Sequence, residues 1–299
     1  MSNQPPTPPV IDYEGSDYQT SFWEEGGREY EDRCEQIALK RLLPDQGELL
    51  LEIGAGAGRN TPRYKGFKRV VLLDYSLTQL QQAQAYLGRN QSYTYVAGNV
   101  YQLPFVDGLF DGSTMIRTLH HMKDPISALR QIQRVLREGS PFILEYANKQ
   151  NLKAIFRYWL GRQDWDPFSL EPIEFTELNF DFHPRMIRQS LSKTGFELNQ
   201  QLTVSHFRIN LLKKIFPAGL LAALDSLFQP TGAWWQISPS VFTRSTAVGT
   251  GAPAPGKGFF QCPDCGTALP DQAESATQLA CPACGKSFPI VDGIYDFRD

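Results

Sequence analysis

Three sets of residues in this chain have types and spacings that could do chemistry. The first lies in LLLEIGAGAGRN, Leu49 to Asn60, where Gly54, Gly56 and Gly58 alternate with alanines behind an apolar run. Glu52 stands two places ahead of the first glycine. Such a turn lets backbone approach a ligand closely, although glycines in this spacing also make a plain structural turn. Arg59 occupies the place where a dinucleotide-binding turn needs a small residue, so the match to a nicotinamide site is poor. The second set is Cys262-x2-Cys265 and Cys281-x2-Cys284, with 15 residues between the pairs. That is the spacing of a four-cysteine zinc site; four thiolates close the tetrahedral shell, so the ion would be structural. The third is His120–His121, either of which could serve as a base or polar orienter, or simply pack and face solvent.

The elements that must position these groups alternate along the chain. FWEEGGREYEDRCEQIALKRLLP has helical spacing and is ended by Pro44 and Gly47. ELLLEIGA, RVVLLDYS, YTYVAGNV, GSTMIRTL and PFILEYA read as strands, with a weak helix after Gly58 and helices over LTQLQQAQAYL and PISALRQIQRVLREG, the last stopped by Gly139. Nearly continuous apolar strands separated by helices predict a parallel sheet covered on both faces. Beyond Asn148 the pattern changes to a helix over LKAIFRYWLG, a polar loop, a helix and strand from His183, an apolar segment broken at Pro217 and Gly219, and a closing strand over SPSVFTRSTA.

On such a sheet the ends of successive strands define a ligand. Glu52 ends the first strand, where a carboxylate could face an ammonium group. Asp74 ends the second, where an acid can accept both ribose hydroxyls. Asn99 and Val100 end the third, where an amide could meet an adenine edge and an apolar side chain its face. An amine, a ribose and an adenine without a pyrophosphate describe S-adenosylmethionine.

At these residues the chain resembles the class I S-adenosylmethionine-dependent methyltransferases. The likeness runs over roughly Leu49 to Ala147 through LEIGAGAGRNT, VVLLDYS, AGNVYQLPFVDGLFD and RTLHHMKDP. It is greatest toward the type 11 branch, which includes the ubiquinone and menaquinone biosynthesis enzymes. The resemblance implies the methionine moiety against Glu52 and the Gly54-Ala55-Gly56 turn, the ribose on Asp74, Tyr75 beside the adenine and Asn99 on its amino group. The family commonly has Asp where Asn99 stands. Arg117, near the end of the fourth strand, could border the cofactor, and Glu145 and Tyr146 end the fifth. The family motif that grips a planar amino group, Asn/Asp-Pro-Pro-Tyr/Phe, would follow the fourth strand; MIRTLHHM stands there instead. Methylation of an adenine amine or a glutamine amide by that route is therefore not expected.

The C-terminal stretch carries a second resemblance. FFQCPDCGTALP, LACPACGKSFPIVDGIYDF and their cysteine pairs are similar to the small zinc-ribbon proteins that activate methyltransferases of tRNA, ribosomal RNA and release factors. Tyr295 takes the place of the usual proline. In this chain the resemblance implies activation or stabilisation in cis. From Gly251 onward Lys257, Lys286 and Arg298 face six acids, a balance that disfavours phosphate binding by the ribbon alone.

The whole is expected to be an α/β protein. Its parts are a flexible tail over 1–20, a methyltransferase domain over 21–246 on a Rossmann-like, seven-stranded, mostly parallel sheet, a linker over 247–257 and a zinc ribbon over 258–299. Within the domain, 45–148 would hold the cofactor and 149–239 a helical lid over the acceptor. Leu211, Leu212, Ile215, Phe216, Leu220, Leu221, Leu224 and Phe228 could pack as core, line an apolar acceptor pocket, or dip into a bilayer beside Lys213 and Lys214. The acceptor expected first is small or lipid-like. RNA or protein of the translation machinery is the alternative, and a cofactor-binding regulator without turnover is a third. No apolar run is long enough to span a membrane. The start MSNQPPTPPV lacks the pattern of a signal peptide, and paired CxxC cysteines suit a reducing compartment, so a cytoplasmic location is expected.

Overall fold

A computed structural model describes residues 8–11, 14–15, 27–250, 258–270 and 276–298. The tail over 1–20 and the linker over 247–257 thus lie largely outside the described residues. Five strands form the parallel part of the sheet: β1 (Gly47–Ile53), β2 (Phe67–Asp74), β3 (Tyr93–Ala97), β4 (Gly112–Met115) and β5 (Pro141–Ala147). β6 (Ile173–Thr176) and β7 (Asn179–Asp181) make a separate hairpin where the sequence reads as a loop, and β8 (Phe196–Val204) and β9 (Ser240–Ala247) complete the main sheet. The order β3-β2-β1-β4-β5-β9-β8, with β9 alone antiparallel to its neighbours, is the seven-stranded, mostly parallel arrangement expected.

Burial explains why these segments are strands. Leu50, Leu51, Val71, Leu72, Phe142 and Leu144 are all buried in the sheet, and only an α/β sandwich covers both faces of such runs. The covering helices are α1 (Glu29–Leu42), α2 (Leu77–Leu87), α3 (Pro125–Val135), α4 (Leu152–Trp159), α5 (Pro184–Lys193), α6 (Asn210–Ile215) and α7 (Ala218–Phe228). Ser76 and Asp124 cap α2 and α3 by accepting the backbone N–H of Gln79 and Ser127. α3 stops at Val135, short of Gly139, because Leu136 leaves the helix to bridge Phe110 in a parallel pair. The segment after Gly58 forms only a 3-10 turn over Thr61–Arg63.

The C-terminal ribbon joins the same sheet. It contributes β10 (Gln278–Ala280), β11 (Ser287–Val291) and β12 (Ile294–Asp296), and β12 lies parallel to β3 with Tyr295 opposite Val96. The open edge of the sheet is thereby paired, and the sheet grows to ten strands. Phe260, Phe288 and Phe297 belong to the same apolar core as Leu51, Val71 and Phe105, with Phe260 stacked 5.8 Å from Phe105.

The apolar segment of the second half behaves differently. Leu221 is buried and Leu212 partly so, whereas Leu211, Ile215, Phe216, Leu220, Leu224 and Phe228 stand exposed. Core packing does not account for most of this segment. Among the described residues no helix is long and apolar enough to cross a membrane.

Candidate active site

The turn after β1 is built from the glycines upward. Gly54 and Gly56 have φ of +66° and +53°, which an L side chain rarely adopts. A Cβ on Gly54 would also lie 2.1 Å from the Thr118 hydroxyl, so nothing larger fits beneath the loop that follows β4. Gly54 and Ala55 donate their N–H groups to the Leu73 carbonyl at 2.8 and 3.0 Å, and Gly56 N–H donates to Asp74 Oδ2 at 2.8 Å. Asp74 also accepts from Ser76 N–H at 3.0 Å. One carboxylate thus ties the first turn to the second.

A cavity of about 110 Å³ opens between these turns. Gly54, Gly56, Asp74, Tyr75, Val100, Arg117 and His121 line it, as do Gly98 and Thr118. Val10 and Ile11, from the N-terminal segment, line it too. Nothing in the proline-rich composition of that segment signals such a role. Arg298 of the ribbon reaches the rim, donating to the Tyr75 carbonyl at 3.4 Å and lying 6.0 Å from its ring.

Several expected site residues lie elsewhere. Glu52 points away from the cavity into the protein, where it accepts from Thr61 Oγ1 at 2.6 Å and from the Tyr64 hydroxyl at 3.2 Å. It is 4% exposed, and burial pushes its carboxyl up to about 7 despite those bonds. Asn99 uses its side-chain oxygen to accept Tyr101 N–H at 2.9 Å, capping a short 3-10 turn. Ala55 contributes backbone only to the Leu73 bond and does not line the cavity.

His121 stands where two cavities meet. It lines the first one and also a second, polar chamber of about 280 Å³, shared with Arg28, Arg117, His120, Glu145, Asp181 and Arg208. Its Nδ1 lies 3.2 Å from the Leu178 carbonyl, at the hairpin turn where Leu178 takes φ of +52°. Against a carbonyl, Nδ1 must carry the proton, which leaves Nε2 as the acceptor atom. Burial holds both histidines below the usual imidazole range, and His121, its ring 3.9 Å away, further disfavours charge on His120. His120 reaches the chamber but not the first cavity.

Arg117 is fixed from three sides. Its φ of +54° turns the chain out of β4, its N–H donates to Glu145 at 2.9 Å, and its guanidinium pairs with the buried carboxylate of Glu35. Glu145 also accepts from Ser240 at 2.6 Å, and burial holds its carboxyl above the usual carboxylate range. Desolvation likewise pushes Asp181 up to about 6, against the pull of Arg208. Tyr146, by contrast, is wholly buried away from the chamber. Sequence reading missed Arg28, Asp181 and Arg208, which come from α1's approach, the hairpin and the loop before α6. No motif links them; only the fold brings them together. Beyond the chamber a third space of about 800 Å³ leads outward between α4 and α6, past Leu152, Phe156, Ile209 and Lys213.

The candidate metal centre is compact. The four sulfurs of Cys262, Cys265, Cys281 and Cys284 lie within 4.8 Å of one another, with Cys262–Cys284 at 3.7 Å and Cys265–Cys281 at 3.5 Å. Tetrahedral zinc–thiolate bonds place sulfurs about 3.8 Å apart, so this donor set fits a zinc ion. Each pair forms the same knuckle: Gly266 N–H returns to the Cys262 carbonyl and Gly285 N–H to that of Cys281, both glycines having positive φ.

Comparison with known proteins bears on the site. Residues 51–144 match the family described as a methyltransferase domain. The O-methyltransferase cnsE of Penicillium expansum is 33% identical over 149 residues, which are 45% of this chain and 52% of that protein. A demethylmenaquinone methyltransferase of Corynebacterium kroppenstedtii is 37% identical over 101 residues, 33% of this chain and 42% of its own length. The chain therefore spans about half, or less, of the relatives it matches. A solved chain from the complex between the Haloferax volcanii Trm112 methyltransferase activator and a methyltransferase superimposes with a TM-score of 0.55 at 17% identity. That match covers 77% of this chain and 96% of the other, and it shows the shared Rossmann-like fold.

Proposed function

We propose that this chain, whose residues 51–144 are a methyltransferase domain, transfers a methyl group from S-adenosylmethionine to a small, lipid-like acceptor. The zinc ribbon stabilises the enzyme in cis. The observation that carries the reading is the junction at Arg117 and His121, where the glycine-turn cavity meets the polar chamber. Bound S-adenosylmethionine would supply an electrophilic methyl on a sulfonium, so the chain's main task is alignment and exclusion of water. Asp74 and the Gly54–Gly56 turn would hold the ribose and methionine side, with Tyr75 and Val100 at the adenine. Arg117, locked by Glu35 and Glu145, keeps the passage between cavities open. Nε2 of His121 would take the proton of an acceptor hydroxyl as that oxygen receives the methyl group and S-adenosylhomocysteine is left. The relatives' names, an O-methyltransferase and a demethylmenaquinone methyltransferase, agree with an acceptor of this size and class.

The direct test is transfer of radioactive methyl from labelled S-adenosylmethionine in a host extract. Label in the organic-soluble fraction supports the reading, and label confined to RNA or protein overturns it. The donor side is tested separately by calorimetry. Asp74→Ala should weaken S-adenosylmethionine binding by roughly tenfold or more, since a hydrogen bond to a charged group contributes about 1.5–3 kcal/mol. Unchanged affinity would remove Asp74 from the site.

A further inference from the structure

We infer that the face formed by α4, α6 and α7 docks on an anionic lipid bilayer, with the outer space between α4 and α6 opening at that surface. Apart from Tyr86 and Val291, every large apolar side chain that stands exposed among the described residues lies in 152–175 or 209–235. Trp159, Leu211, Leu227 and Trp234 are 67%, 64%, 72% and 76% exposed. Leu152 and Phe156 of α4 line the same outer space as Ile209 and Lys213 at α6, and so much exposed apolar surface beside it marks an interaction site rather than ordinary solvent exposure.

Charge identifies the occupant. Lys153, Arg157 and Arg162 accompany α4 and Lys214 stands on α6, while Arg208 and Lys213 are paired with the buried carboxylate of Glu31 behind them. No acid stands exposed in 152–162 or 207–228, Asp225 being buried against His206 and Gln229; the exposed acids beside the patch, Asp164, Asp166, Glu171 and Glu174, lie in 163–175, outside α4, α6 and α7. Exposed leucines and tryptophans flanked by lysine and arginine are what an interfacial surface presents to acidic headgroups. A second copy of the chain would set these same cations against one another. The 800 Å³ space passes between Phe156 and Ile209 on this face and ends at Arg208 and Asp181 inside. An amphiphile could thus enter polar end first from the bilayer.

The test needs neither cofactor nor acceptor, so it stands or falls apart from methyl transfer. The full chain is sedimented with phosphatidylcholine vesicles with and without phosphatidylglycerol, at low and high salt. Expected is salt-sensitive partition onto the phosphatidylglycerol vesicles with a blue shift of tryptophan emission. The exposed-site variant Trp159→Glu/Leu211→Glu/Leu227→Glu should lose roughly tenfold in partition at an unchanged melting temperature. Should that variant fail to fold, Arg157→Gln/Lys214→Gln must still weaken partition onto the acidic vesicles. Three results overturn the inference: no partition, partition that neither variant alters, or a dimer dissolved by the triple variant in a protein that ignores vesicles.

Discussion

The two ends of the sheet region both carry more apolar surface than a free domain can leave in water, and they resolve it differently. At the β3 edge the chain covers itself. β12 supplies the missing backbone partners, and Phe260, Phe288 and Phe297 pack into the main core. At the α4–α6–α7 end Trp159, Leu211, Ile215 and Leu227 stand exposed among the described residues, with Arg157 on α4 and Lys214 on α6. The difference teaches that the ribbon is part of the fold's closure, whereas none of the described residues covers the other end. It also separates two kinds of residue with similar composition: aromatic side chains whose removal should unfold the protein, and aromatic side chains whose removal should leave it standing.

The harshest way to break the comparison is to remove the four-cysteine cluster's capacity to hold a metal. In small modules of this kind zinc contributes folding free energy on the order of 10 kcal/mol. Cys281→Ser/Cys284→Ser should release zinc and, because the ribbon's phenylalanines sit in the shared core, lower the melting temperature of the whole chain. A two-step melt with the first domain unchanged would show that the ribbon is merely tethered. Next in size, Phe260→Ala should cost about 3–5 kcal/mol by chemical denaturation, the range for a buried aromatic truncated to alanine. A cost near that of an exposed site would mean that its stacking on Phe105 is not formed in solution.

Glu52 lies between the two ends and sharpens the comparison along pH. Its folded carboxyl is raised from 4.5 to about 7 by burial. The stability it contributes is therefore fully present below pH 4.5 and lost as pH rises through about 7. The shift corresponds to on the order of 3 kcal/mol. Glu52→Gln should flatten the decline between those values, read as the pH dependence of the denaturation midpoint. An identical profile in both proteins would refute the raised, buried carboxyl. The smallest effect belongs to the bare end, where Leu227→Glu should change folding stability by no more than about 0.5 kcal/mol. A loss like that of Phe260→Ala would place Leu227 in a packed core and erase the contrast.

Much of the fold was legible because it rests on local rules. Continuous apolar runs such as LLLEI and VVLLD must be buried on both faces, and helical spacing between them fixes crossover helices. The two CxxC pairs, with Gly266 and Gly285 behind them, specify a four-sulfur cage whatever surrounds it. The glycine turn and Asp74 were legible for the same reason. Positive φ at Gly54 and Gly56 and an acid at the end of the next strand are positions in a chain, and the fold needed only to bring neighbours together.

Other features were decided only by tertiary structure. Glu52 and Asp74 look alike in sequence, each an acid at a strand end. Alternation along β1, together with Thr61 and Tyr64, turns the first inward, while Asp74 meets Gly56 at the cavity. The sequence marks where an acid is, not which side of the sheet its side chain takes. The chamber of Arg28, Arg117, Asp181 and Arg208 draws on segments far apart in the chain, and no local pattern encodes such a meeting. The same holds for the ribbon. Its sequence determined a module with a four-cysteine cluster fit for a metal, but whether that module would hang free or complete an edge depended on an unpaired β3 backbone lying within reach of Ile294–Asp296.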